Sequence, residues 1–134
     1  LWASLERAGA SPRGRVALAT AAFAVWHISV ATFETGFRLP ARQVPVYILN
    51  AALIGGAWGV LRARSGSVLV TSLCHGLWNG LSYTLFGFGE QVGALGVERT
   101  SLFGPEVGVL GVAWNALLLG GLWASSLRAR RATS

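Results

Sequence analysis

VPVYILNAALIGGAWGVLRARSGSVLVTSLCHGLWNGLSYTLFGF, residues 44–88, holds two long runs without Asp, Glu, Lys or Arg, parted by one short basic segment, RARS at 62–65. Each run is about as long as the ~17–25 residues a helix needs to cross the hydrocarbon core of a bilayer. Helices in the core of a soluble domain are usually shorter. The stretch therefore predicts two membrane helices in a tight antiparallel hairpin that turns at RARS.

Two further runs of the same kind flank this hairpin, VALATAAFAVWHISVATF at 16–33 and VGVLGVAWNALLLGGLWASSL at 107–127. The expected fold class is all-α, an integral membrane helical bundle with four transmembrane helices near 16–33, 44–61, 66–88 and 107–127. No repeat or composition shift divides the chain, so residues 1–134 read as a single transmembrane domain. The first run is no signal peptide: it carries a His at its centre and leads into no cleavage site.

Composition agrees with this reading. Hydrophobic residues make up 53% and charged residues 12%, against roughly 25% charged in an ordinary soluble domain. That excludes a disordered chain and a typical water-soluble enzyme. The single Cys excludes an internal disulfide framework and a cysteine-based zinc cluster. The net charge of +6 comes from 11 Arg and 5 Glu, with no Lys or Asp. The arginines cluster at the ends of the apolar runs, which is a membrane pattern and not a nucleic-acid one. Eight of them, with Glu6, fall on the side shared by the N-terminus, the 62–65 turn and the C-terminus. The opposite side carries Arg38, Arg42 and Arg99 against Glu34, Glu90, Glu98 and Glu106. The positive-inside bias predicts a multi-pass protein of the cell membrane with both termini in the cytoplasm and residues 89–106 as an acidic external loop.

Inside the runs lie His27, Asn50, His75, Asn79 and Asn115. Ionisable groups are costly in a bilayer and mark functional candidates. His27 lies 11 residues after Val16 and His75 lies 9 after Gly66, depths of about 16 and 14 Å on helices that run in the same direction. Equal depth allows the two imidazoles to converge. Asn79 follows His75 by four residues on one face, and Thr71 and Ser82 extend that polar stripe, which should face other helices or a cavity. Gly55 and Gly59, in GxxxG spacing, suit close helix packing.

Two histidines can bind a metal, ligate a haem, or hold a water that a carboxylate activates. They can also be interhelical hydrogen-bonding groups with no chemistry. Two are too few for a closed zinc site, and no carboxylate lies within a run. Serine chemistry is disfavoured, because no GxSG occurs within a run.

FAVWH at 23–27 resembles the FxxxH motif of the CAAX prenyl protease / bacteriocin-processing (CPBP, Abi) family of intramembrane proteases, and HGLWN at 75–79 resembles its HxxxN motif. The resemblance covers about residues 1–85. It implies an intramembrane metalloendopeptidase that cleaves lipidated, CAAX-like or membrane-embedded peptides and works among membrane lipids. It implies catalytic roles for His27, His75 and Asn79. The histidines would orient water or bind a divalent metal, zinc being one candidate, and Asn79 would stabilise the oxyanion. The family's EExxxR motif has no match here. The chain begins at Leu1 without Met, so the expectation is the C-terminal part of a larger domain whose preceding helix carries that motif. A non-catalytic membrane partner or bacteriocin-immunity protein, and a bis-His haem protein, are the alternative readings.

Overall fold

The computed structural model describes residues 1–33 and 39–131, with side chains through residue 128. Glu34, Arg38, Arg130 and Arg131, used in the charge reading, lie outside the described side chains. The elements in chain order are α1 (Trp2–Arg7), α2 (Pro12–Phe33), a 3-10 turn (Ala41–Gln43), α3 (Val44–Ser65), α4 (Val68–Phe86), β1 (Gly87–Phe88), β2 (Gln91–Val92), α5 (Thr100–Phe103) and α6 (Val109–Arg131).

The expected all-α bundle is thus mostly helical, with one small exception. β1 and β2 form an antiparallel pair in which Gly87 faces Val92 and Phe88 faces Gln91. Two-residue strands are too short to show the alternation by which a strand is read from sequence.

Local chemistry explains the helix limits. α2 starts four residues before the expected Val16. Pro12 suits the first helical position, and the Ser11 hydroxyl accepts the Gly14 N–H at 3.1 Å. RARS, expected as a turn, is the last turn of α3. Arg and Ala are good helix formers, and the first breaker is Gly66, which closes the helix with φ 66°. Ser67 then caps α4 by accepting the Val70 N–H.

α3 is the axis of the molecule. Most of the buried core belongs to it, and α2, α4 and α6 each pack on it. Glycines permit this. A Cβ at position 55 would lie 2.8 Å from the Phe23 ring of α2, and one at position 56 would lie 3.1 Å from Leu119 of α6. Small residues where helices touch are the usual means of close packing in lipid. On the α6 side two fully buried amides link the helices. Asn115 donates to Asn50 at 2.8 Å and to the Pro105 carbonyl at 3.0 Å, and Asn50 donates to the Gly108 carbonyl at 3.1 Å.

Three helical segments, Pro12–Phe33, Ala41–Ser65 and Val109–Arg128, are long and apolar enough to cross a membrane. The fourth expected span, α4, is not among them. Its Thr71, Ser72, His75, Asn79, Ser82 and Tyr83 lower its mean hydropathy; they are largely the polar stripe already noted. Residues 89–106, expected as a solvated loop, are packed in part. They fold back on the helices through the strand pair and α5, and Glu106 is only 9% exposed.

Candidate active site

His27 sits past the middle of α2 and is 7% exposed. Its Nδ1 lies 2.7 Å from the Phe23 carbonyl, one turn back. A carbonyl only accepts, so Nδ1 carries the proton and Nε2 is the unprotonated nitrogen, a base or a ligand. Phe23 packs tilted against the same imidazole at 4.2 Å between centroids, Trp26 meets it edge-on at 4.9 Å, and Tyr47 of α3 stands 5.6 Å away.

His75 comes from α4. The Phe23 ring meets its imidazole edge-on, with centroids 5.3 Å apart. Asn79, one turn on, places Nδ2 3.2 Å from His75 Nε2. One phenyl ring therefore touches both histidines, and the Phe of FAVWH is itself the contact between the two motifs. The expectation was that both imidazoles open into one cavity with Asn79 on its wall. The two imidazoles do meet, through the Phe23 ring. A cavity of about 260 Å³ has Phe23, Gly55 and His75 among its lining residues. His27 and Asn79 each lie one turn further along their helices, outside the lining. Phe23, which lines the cavity, packs against His27 on its other side.

The described residues do not complete a metal site. No group of three or more His, Cys, Asp or Glu converges among them. His27 and His75 supply two nitrogens, whereas zinc takes four ligands.

One acidic group near the site escaped the sequence reading. Tyr83, in the last turn of α4, donates a hydrogen bond to Glu106. The Tyr47 hydroxyl is hydrogen-bonded to that of Tyr83. A line of buried groups, with the half-buried Tyr83 among them, thus runs Glu106, Tyr83, Tyr47 and ends against His27. Burial pushes the Glu106 carboxyl above the ordinary glutamate range, and the hydrogen bond from Tyr83 acts in the opposite sense. A signal for this existed. The chain has only two tyrosines, both within apolar runs, and buried phenols need partners.

Asn50 and Asn115 bond to each other and to backbone. Their geometry is that of packing groups.

Neither a curated protein nor a solved structure matches the chain. A family model described as type II CAAX prenyl endopeptidase Rce1-like matches residues 1–81, a span that includes FAVWH, HGLWN and the α3–α4 hairpin between them. With more than half of its length covered by that match, this membrane protein belongs to the type II CAAX prenyl endopeptidase Rce1-like family.

Proposed function

We propose that the protein acts as an intramembrane endopeptidase on lipidated, CAAX-like or membrane-embedded peptides. The observation that carries this reading is the Phe23 ring in contact with both His27 and His75. That contact joins two motif halves 48 residues apart in one place. In the proposed step, water is polarised by a histidine nitrogen and adds to the scissile carbonyl. The C–N bond then breaks as a proton passes to the leaving amine. In this reading His27 Nε2 and the His75 imidazole take and return that proton. Asn79 orients His75, and its amide can turn its NH2 toward the developing oxyanion. Among the described residues a divalent cation, zinc included, would find the two imidazoles as ligands, so the proposed steps use the histidines and the amide alone.

In this reading α4 is the fourth span. Its polar stripe faces the site and its Leu69, Leu73, Leu77 and Leu81, all exposed, face lipid. Both termini lie in the cytoplasm. The gathering of Arg13 and Arg64 round one cavity at the shared helix ends favours that orientation.

The haem alternative is disfavoured by packing, because a macrocycle between the imidazoles would need the space that Phe23 fills. The test is release of the C-terminal fragment from a farnesylated peptide by membranes containing the protein. Hydrolysis lost in His27→Ala and His75→Ala is expected. Absence of hydrolysis with the unaltered protein would favour the non-catalytic or immunity role.

A further inference from the structure

We infer that Arg62 receives the free C-terminal carboxylate of a peptide lying in the cavity against His75, an assignment that rests on the peptidase reading above. The cavity lies between faces of α3 and α4, with Ala19 and Phe23 of α2 and Trp2 of α1 completing its wall. Gly55, Gly59 and Arg62 fall on one face of α3, and Val68, Ser72 and His75 on one face of α4; all six line it. The helices are antiparallel, so Gly55 and His75 form the floor while Arg62 and Val68 stand at the mouth.

The length fits the ligand. Arg62 lies seven residues beyond Gly55, a rise of about 10 Å along the helix. A CAAX end has three residues after its lipidated cysteine, and three extended residues span about 10–11 Å. A scissile carbonyl held at His75 therefore places the terminal carboxylate at the level of Arg62.

The charge fits as well. Arg62 is the one arginine among the residues lining this cavity. Its guanidinium lies over the Trp2 ring, 5.5 Å from the centroid, and Trp2 lines the same cavity. Stacking restricts the fork without occupying its donors. Among the described residues the carboxylate nearest in sequence to Trp2, Glu6, is paired with Arg15 and not with Arg62. Arg64 is engaged elsewhere, donating to Ser125 at 2.6 Å. A planar guanidinium with free donors at the mouth of an apolar cavity is suited to a bidentate carboxylate.

The test uses the whole chain in lipid nanodiscs and two fluorescent farnesylated tetrapeptides that differ only in ending as an acid or an amide. Binding is read by anisotropy. The acid should bind about 10–100-fold more tightly, as a charge-assisted pair implies. Arg62→Ala should lower the acid to the affinity of the amide and leave the amide unchanged. Arg62→Lys should keep part of the preference, and Arg13→Ala all of it. Equal binding of acid and amide by the unaltered protein overturns the assignment, as does failure to bind either, or a preference that survives Arg62→Ala. An acid preference that depends on Arg62, in a protein that hydrolyses neither peptide, supports the carboxylate site and overturns the peptidase reading alone.

Discussion

Tyr83 and Glu106 are joined by a hydrogen bond that ties the end of α4 to the segment leading into α6. It also ends the buried line that begins at His27. The carboxyl is raised above its ordinary range by burial, so the folded protein holds its proton to higher pH than the unfolded chain does. Stability is then full below the ordinary glutamate range and falls as pH rises through the raised folded value. Glu106→Gln should remove that fall. Apparent Tm in detergent from pH 4 to 8 should slope downward for the unaltered protein and be flatter for the variant, with the two curves meeting at the acid end. Parallel curves would contradict the buried, proton-holding role.

His27→Ala or His75→Ala is expected to abolish peptide hydrolysis. Asn79→Ala should retain a residue of it, because loss of one oxyanion donor costs about 10²–10³ in rate. The comparison requires equal expression and folding of the three variants. Full activity in His75→Ala would remove the mechanism.

Gly55→Val places side-chain atoms where the Phe23 ring stands. The ring would have to move away from at least one imidazole. A loss of about 1–3 kcal/mol in stability is expected from such overpacking, together with loss of hydrolysis. Gly76→Ala, a site with open space around it, is the control and should change neither.

Asn50 and Asn115 should behave as a coupled pair. Either Asn→Ala leaves the other amide buried with one partner fewer, at about 1–3 kcal/mol. The double variant should cost less than the sum of the two, which a double-mutant cycle on thermal unfolding would show. Hydrolysis per folded molecule should be unchanged in Asn115→Ala.

The long helices and the meeting of the two motifs were legible because they depend on local quantities. Charge-free length sets a span, and depth along a helix of fixed rise brought His27 and His75 to one level. The part played by Phe23 was not legible, since contact of one ring with both histidines depends on how α2 packs against α4. Glu106 was missed for another reason. A glutamate in an acidic loop looks solvated, and only the return of that loop onto Tyr83 shows otherwise. The limit of α3 was misplaced because basic residues were read as a turn, whereas backbone conformation at Gly66 decides it.

The polar stripe on α4 bears on how the protein is made. A helix carrying His, Asn, Ser and Thr gains less from entering lipid than its neighbours do. α3 precedes it, is more apolar, and is joined to it through Gly66 and Ser67 alone. The unit that inserts during synthesis should therefore be the α3–α4 hairpin and not α4 by itself. A glycosylation reporter fused after α4 is expected to show full insertion when α3 is present and poor insertion when α4 follows a polar leader. Efficient insertion of the isolated helix would show that the stripe carries no such cost.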